Sequence, residues 1–569
     1  MIRLRFRVAL ALVLLGVVLE QAIAQNPAPV APNGGLTGIL TYIEKAWGTL
    51  GRSMDDCKTV TDERKQLGKA VVYFPADMEM PPVARELESK CGIQAARLPQ
   101  AITAPGSFDM RLLSRPGLLF LPHPYVVPGG FFNEMYGWDS YFIIRGLLRA
   151  GKTELARGMV ENFFFEIQHY GAILNANRTY FLTRSQPPFL SSMVLAVYEQ
   201  EASGGKTDRE WLERAYPFIV RDYEMWTTGQ HLAGNTGLSR YYDYGDGPTA
   251  DIADTGDPYY AQVITGLLAG GIPNSYFAHG PRAAQPIPVP AYTLEVCTEG
   301  AKGRACSSAA TLELTADYYK GDRAMRESGF DISFRFGPYS GSTHHYAPVC
   351  LNSLLYKTEQ DLETISSLLG HAEQARTWKD RAKRRADLIN KYLWDPQRGL
   401  FYDWDFQRNQ RSDYNYATAF YPLWSGMASA DQARALLRNL KAFEQPGGIV
   451  MSDRETKVQW DYPYGWAPIQ MLAIEGLRRY KFDDEADRLS YKFLSMVVDN
   501  FTSDGTIREK YNVVTRSDEV HLAVGYSANV IGFGWTNGAF LVLLEQLPPG
   551  LRARLGQGER QGVAPPGAR

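Results

Sequence analysis

Several short segments of this sequence combine carboxylates, amides and arginines with flat aromatic rings. Sugar hydroxyl groups bind such polar side chains, and the carbon–hydrogen faces of a sugar ring stack on aromatic rings. Cleavage of a glycosidic bond also requires two carboxyl groups that flank the bond. The segments with this mixture are residues 128–141, 175–188, 327–335, 459–466, 509–511 and 532–538.

A single segment of this kind is weak support for a sugar site. The pairs Trp138-Asp139 and Trp460-Asp461 can each be a structural hydrogen bond from an indole to a carboxylate. Several such segments, all near loop–helix junctions, favour a binding site, because functional residues concentrate in loops that a scaffold positions. The pattern therefore indicates a carbohydrate-active protein.

The elements that must position these segments are helices. Apolar residues recur at spacings of three and four in residues 212–223 and 378–393, which places one apolar stripe on each helix. A ring of nested helix pairs buries every stripe, so we predict an all-α fold with short hairpins, one of them over residues 394–403, and long loops at one end. Further predicted helices cover residues 141–150, 155–167, 189–198, 354–369, 432–443, 467–480, 485–499 and 538–547.

The composition narrows the classes of function. The 569 residues are 45% hydrophobic and 21% charged, which is typical of a soluble globular protein. A formal net charge of −2 leaves no basic surplus for nucleic acid, so we expect no such partner. Aromatic residues make up 12% of the chain, which fits either a large core with half-buried tyrosines or a sugar-binding cleft.

The N-terminus has the pattern of an export signal. A start with three arginines precedes an apolar run over residues 8–19, and Ala22-Ile23-Ala24 offers small residues for cleavage. We therefore expect a periplasmic or secreted protein with no membrane attachment after cleavage. The predicted organisation is a signal peptide (1–24), a flexible lead-in (25–36), a catalytic domain with an N-terminal extension (37–547) and a disordered tail (548–569).

The cysteines fit two disulfides in an oxidising compartment. Close spacing makes Cys297–Cys306 plausible, and Cys57–Cys91 would tie the N-terminal part together. Cys350 is then left over as a buried free thiol.

We expect neither a metal ion nor a cofactor. The cysteines form no CxxC pair that suggests a metal site. His344 and His345 are adjacent, and adjacent residues do not share a helix face, so they make a poor pair of metal ligands.

The segment that begins at Pro128 and the segment over residues 459–468 resemble the two signature motifs of the α,α-trehalases, family 37 of the glycoside hydrolases. The other segments match that family in the same order. The resemblance covers residues from about Ser107 to about Leu547. It implies an (α/α)6 toroid that hydrolyses the α-1,1 bond of α,α-trehalose to two glucose molecules.

The resemblance also implies roles for individual residues. Asp331, at the end of a Glu-Ser-Gly-aromatic-Asp motif, is similar to the general acid of the family, and Glu509 is similar to its general base. The residues expected to contact the sugar or line its pocket are Phe132, Trp138, Asp139, Asn175, Arg184, Ser185, Gln186, Gly329, Trp460 and Asp461.

An inverting mechanism sets the geometry of the two carboxyl groups. Asp331 must hold its proton, so its pKa should be raised, and Glu509 must be ionised and hold a water molecule. Room for that water requires carboxyl groups roughly 6.5–9.5 Å apart. We expect a monomer that binds one disaccharide.

The sequence departs from the family pattern at several positions that orient sugars. No Arg-Pro-Glu segment follows residues 238–241, where Asp251, Asp254 or Asp257 could take over part of its role. These losses leave two alternatives: an inverting hydrolase of another α-glucoside and a non-catalytic sugar-binding toroid. A phosphorolytic enzyme would not need Glu509. Other residues that differ from the family pattern are Phe131, Phe330, Cys350 and Tyr526.

Overall fold

Helices dominate the protein, as the periodicity of the apolar residues predicts. The computed structural model describes residues 35–61, 69–253, 258–270, 274–277, 292–300, 303–525 and 529–556, and it gives only the course of the backbone between residues 292 and 312. The predicted signal peptide, Asp254, Asp257 and Tyr526 lie outside the described residues.

An inner ring of helical segments surrounds the centre of the molecule. Each segment packs against the next, and Gly534–Gln546 closes the ring because it contacts both the first and the fifth segment. In ring order the segments are Asp139–Arg149, Leu190–Ser203, Val349–Leu368, Tyr421–Trp424, Ala467–Arg479 and Gly534–Gln546.

Two glycines allow the ring to close tightly. A Cβ atom on Gly538 would lie 2.1 Å from the carbonyl oxygen of Phe142, and one on Gly146 would lie 2.5 Å from the Cα of Gly538. Contacts this short exclude any side chain at either position. The first and last inner helices therefore meet backbone to backbone.

A second layer of helices covers the ring from outside. Most outer helices directly follow an inner one in the sequence and run back along it, so the inner helices all point the same way. This arrangement confirms the predicted (α/α)6 toroid. The outer helices are Gly35–Thr49, Thr153–His169, Arg209–Thr227, Ala372–Tyr392, Ala430–Asn439 and Asp483–Asp504.

The first outer helix comes from the part of the chain without motifs. Gly35–Thr49 packs against both Asp483–Asp504 and Gly534–Gln546, so it completes the sixth helix pair. Its buried stripe includes Ile39, Tyr42 and Trp47. Residues 35 and 36, predicted as flexible lead-in, thus belong to a helix of the ring.

Several helices lie outside the ring. At the C-terminus, residues 549–552 form a helical turn where a disordered tail was predicted. The described residues between 243 and 308 include two α-helices. The α-helices outside the ring are Cys57–Thr61, Pro82–Cys91, Ala250–Ala253, Tyr259–Ala269, Ala316–Glu327 and Pro549–Arg552, and the 3-10 turns are Met110–Leu112, Thr179–Phe181, Gly229–His231, Asn274–Tyr276, Pro338–Ser340, Thr343–His345, Ala417–Phe420 and Leu440–Ala442.

The strands are short and form small sheets. The hairpin predicted over residues 394–403 is confirmed by antiparallel pairing of Trp394–Asp395 with Leu400–Phe401. Near the N-terminus, Val71–Phe74 lies between two parallel neighbours. The remaining strands are Gly51–Arg52, Gln94–Arg97, Leu118–Leu119, Tyr125–Val126, Tyr292–Gly300, Gly303–Leu312, Tyr346–Ala347, Trp404–Asp405, Gln410–Arg411, Glu444–Gln445, Gly448–Ile449, Tyr464–Trp466 and Lys510–Asn512.

The cysteines agree with the prediction where their side chains are described. Cys57 and Cys91 form a disulfide, and Cys350 is a buried free thiol. Cys297 and Cys306 face each other in a hairpin register, but their side chains lie outside the described part of the structure.

Candidate active site

The ring brings the sequence motifs to one end. Inner helices begin at Asp139, Leu190, Ala467 and Gly534, and each of these residues lies in or beside a motif. Because the inner helices are parallel, their N-terminal ends share one face of the toroid. Residues that lie far apart in the sequence are therefore brought to the same end of the ring.

Asp331 lies in the loop that follows helix Ala316–Glu327. It is partly exposed, and its backbone carbonyl accepts a hydrogen bond from the side-chain amide of Gln459. Burial of the Asp331 carboxyl raises its pKa to about 6. The positive charges of Arg326 and Arg184 oppose this shift. A carboxyl of this kind is a proton donor near neutral pH.

Glu509 has a different environment. It is 3% exposed and precedes strand Lys510–Asn512, which pairs with Tyr464–Trp466. The ammonium group of Lys510 lies 2.8 Å from Glu509 Oε2 and pairs with the charged form of the carboxylate. The backbone is fixed as well, because the Glu509 N–H donates to the carbonyl of Val530 and its carbonyl accepts from the indole of Trp535.

The charges of Asp331 and Glu509 both act on the carboxyl group of Asp139. Burial raises its pKa well above the usual range, and the negative charges of Glu509 and Asp331 raise it further. Asp139 is the first residue of an inner helix and is 4% exposed. Asp331 and Glu509 therefore act on one buried carboxyl at the mouth of the ring. The predicted separation of roughly 6.5–9.5 Å between them stays a prediction.

Arg184 is held in the site by Asp251. Arg184 Nη2 lies 3.1 Å from Asp251 Oδ2, and Arg184 Nε has no hydrogen-bond partner among the described residues. Burial alone would raise the pKa of Asp251, but Arg184 and Arg326 lower it to about 2. Asp251 is one of the three aspartates considered as a substitute for the missing family segment.

The sequence analysis missed Arg326. This residue is buried in the last turn of helix Ala316–Glu327, where Asp322 lies 3.2 Å from its Nε. Its charge acts on both Asp251 and Asp331. Arg326 directly precedes the motif that ends at Asp331, and its spacing of five residues from that aspartate was the available signal.

Hydrogen bonds with the backbone hold three of the predicted sugar-binding residues in place. The Asn175 N–H donates to the carbonyl of Arg184 over 2.8 Å. The Ser185 hydroxyl donates to the carbonyl of Ile173, and Gln186 Oε1 accepts from the N–H of Trp138. Gln186 thus lies beside Trp138, the residue before Asp139. The contacts of all three residues with a sugar stay predictions.

Aromatic rings line the same region. Phe132 is partly exposed and contacts the rings of Tyr136 and Phe533. Trp138 is 2% exposed and lies against Gly329, which has a positive φ of 76°. A Cβ atom there would lie 2.8 Å from the indole, so this close contact requires glycine.

Trp460 and Asp461 are both buried. The indole of Trp460 stacks on that of Trp466 at 3.8 Å, and Asp461 is fully buried. Asp461 Oδ2 accepts hydrogen bonds from the hydroxyl of Thr456 and from the N–H of Phe334. These contacts favour support of the loop after Asp331 over direct contact with a ligand.

Comparison with known proteins identifies relatives over most of the chain. The family model described as Trehalase matches residues 86–263 and 307–548. The cytosolic neutral trehalase of Saccharomyces cerevisiae is 33% identical over 567 residues, which cover 90% of this chain and 71% of the relative. That of Emericella nidulans is 34% identical, covering 88% of this chain and 66% of the relative. The chain thus spans about two thirds of these relatives.

A solved structure agrees with the fold. The neutral trehalase Nth1 from Saccharomyces cerevisiae aligns with a TM-score of 0.71 and 30% sequence identity. The alignment covers 91% of this chain and 96% of that one. The match supports the ring as a whole and not only its motifs.

The relatives correct the prediction of export. They are named as cytosolic, which contradicts a signal peptide at residues 1–24 and a periplasmic or secreted protein. A short apolar run after arginines is a pattern of local composition, and it is a weaker guide than similarity over most of the chain. Within the described residues, no helix combines the length and apolarity needed to cross a membrane.

Proposed function

Because the chain belongs to the trehalase family, we propose that it hydrolyses α,α-trehalose to two glucose molecules with Asp331 as general acid and Glu509 as general base. The predicted family and the predicted class of enzyme, a glycoside hydrolase, are confirmed by the family model and the relatives. The residue roles are part of the proposal.

The observation that carries the roles is the contrast between the two carboxyl environments. Burial raises the pKa of Asp331 to about 6, so it keeps its proton near that pH. Glu509 instead has the ammonium group of Lys510 2.8 Å from Oε2, so its carboxylate has a positively charged partner. Two carboxyl groups with opposed environments are the arrangement that separates an acid from a base.

The reaction then proceeds in one displacement. Asp331 gives its proton to the glycosidic oxygen as the bond from that oxygen to the anomeric carbon breaks. A water molecule attacks the same carbon from the opposite face, and Glu509 takes a proton from it. Neither proton transfer requires a cofactor. Arg184 and Arg326 lie near Asp331, where their charges can orient sugar hydroxyls.

Inversion can be tested by the anomers that form first. One-dimensional proton NMR at early times should show one α-glucose and one β-glucose for each trehalose cleaved, because attack comes from the face opposite the leaving group. Two α-anomers would contradict a single displacement. A blank without enzyme measures the rate at which the anomers interconvert.

The rate should fall as the pH rises through about 6. The pKa of Asp331 is raised to about 6 by burial, and only the protonated form can act as the acid. Above that pH, kcat/KM should therefore decline by about tenfold per pH unit, because this ratio reports the ionisation of the free enzyme. Steady-state glucose release across the pH range is the measurement.

The matched control for this pH profile is Asp222→Asn. Burial raises the pKa of Asp222 to about 7, but this residue lies in an outer helix and touches no motif. The alkaline limb should keep its position in this variant. If the alkaline limb shifts in Asp222→Asn, the limb reflects a pH-dependent change of the fold rather than deprotonation of Asp331.

The proposal also includes the bounds of the catalytic domain and its oligomeric state. The catalytic domain extends over residues 37–547 together with the start of the first ring helix, and it works as a monomer on a disaccharide and without nucleic acid. Size-exclusion chromatography with light scattering measures the mass of the active species. A dimer with activity only in the dimeric fraction would contradict it.

A further inference from the structure

Two adjacent histidines and one aspartate converge beside the loop that contains Asp331. Asp317 lies in the first turn of helix Ala316–Glu327, and the histidines end the 3-10 turn Thr343–His345. Asp317 Oδ1 lies 3.0 Å from His344 Nε2 and 3.3 Å from His345 Nε2. One ligand atom from each residue lies within 4.8 Å of the others.

From this geometry we propose that Asp317, His344 and His345 bind a divalent transition-metal ion of the Zn²⁺ class. Imidazole and carboxylate are common zinc ligands, with bonds of roughly 2.0–2.2 Å. Two ligand atoms on such a tetrahedral centre stand roughly 3.3 Å apart. The separations of 3.0 Å and 3.3 Å fit that arrangement.

The expectation that adjacent histidines make a poor pair of ligands rests on the angle of about 100° between neighbouring residues of an α-helix. His344 and His345 lie at the end of a 3-10 turn, and their rings are nevertheless 3.9 Å apart and tilted by 45°. Both Nε2 atoms thus reach the same carboxylate oxygen.

An imidazole binds a metal ion in its neutral form. Only 7% of the His344 side chain is exposed, so the surrounding protein holds its ring in place. The Asp317 side chain is 56% exposed, which leaves one side open for the ion and for the water that completes its coordination.

Two features limit the affinity. Arg240 donates to the backbone carbonyl of His344, so a positive charge lies nearby. The buried Nδ1 of His344 has no hydrogen-bond partner among the described residues, whereas the second nitrogen of a zinc-binding histidine usually has one. We therefore expect weaker binding than in a structural zinc site of four protein ligands.

A bound ion would join the two ends of the loop that contains Asp331. Asp317 precedes that residue by 14 positions, and His345 follows it by 14. The metal fastens this loop from outside and takes no part in the proposed proton transfers. Its function is to hold the segment, so hydrolysis does not depend on it.

Cobalt titration of the full chain tests the site. After removal of metal with a chelator, Co²⁺ should give a ligand-field absorption band in the visible range that saturates at one ion per chain, and Zn²⁺ should abolish it. His345→Ala and Asp317→Asn each remove a ligand, and apparent affinity should fall by about 10–100-fold or more.

The control is His169→Ala. His169 pairs with Asp77 at 3.1 Å, so it is a histidine–aspartate pair without a second histidine, and its loss should leave the cobalt band unchanged. Thermal melts without metal check that every variant is folded; Zn²⁺ should then raise the melting temperature of the wild type but not of His345→Ala. Equal cobalt binding by the wild type and His345→Ala would overturn the proposal.

Discussion

Asp331→Asn should lower kcat for trehalose by about 10²–10⁴-fold, with a much smaller change in KM. The amide of asparagine has nearly the size of the carboxyl group but cannot release a proton to the leaving sugar. The contact of Gln459 with the backbone carbonyl of residue 331 does not involve the replaced group. Steady-state kinetics of glucose release measure the effect.

A substrate with a better leaving group separates proton donation from distortion of the pocket. α-Glucosyl fluoride releases a fluoride ion, and this leaving group needs little protonation by an acid. Asp331→Asn should therefore hydrolyse it at close to the wild-type rate. A loss on the fluoride as large as the loss on trehalose would show a damaged pocket, and trehalose hydrolysis within tenfold of wild type would refute the assignment of the acid.

Glu509→Gln should also lower kcat by about 10²–10⁴-fold, and on both substrates equally. Water must lose a proton during attack whatever group leaves, so the fluoride cannot rescue this variant. The change also leaves Lys510, which is fully buried, without its carboxylate. Removal of one partner of a buried ion pair destabilises a fold by about 3–5 kcal/mol, so thermal melting must accompany the kinetics.

The matched control for the base is Glu519→Gln. The side chain of Glu519 is 76% exposed and lies ten residues further along the same part of the chain. Its charge is screened by water, so kcat and the melting temperature should stay near the wild-type values. Should Glu509→Gln retain activity on the fluoride while losing it on trehalose, Glu509 would be an acid or a binding group rather than the base.

The helices that could be predicted from the sequence share one property. Their buried faces are mainly apolar, as in Ala372–Tyr392, where Trp378, Ala382 and Ile389 are buried beside a single arginine, so the period of the apolar residues reveals them. Helix Ala316–Glu327 was not predicted, because its buried face includes Asp322, Arg323 and Arg326, which form ion pairs inside the protein. Helix Gly35–Thr49 was not predicted, because its glycines and threonines have low helix propensity.

The site was predictable to a similar degree. The motifs identified which residue types gather near Asp331 and Glu509, since four of the six motifs lie in or beside the start of an inner helix. They gave no direction for individual side chains, and so Asp461 was expected at the sugar although it is fully buried. Arg326 was missed for the opposite reason: it lies one residue before a motif, and only the three-dimensional path of the helix turns it toward the site.

The close meeting of Gly146 and Gly538 has a consequence for synthesis. Translation makes the first inner helix early, but the segment that must slide in beside it emerges only near residue 546. Until then the nascent chain has a gap that exposes apolar surface of its two neighbours. The enzyme therefore acquires its working shape only after this last inner helix has been made and has packed against its two neighbours in the ring.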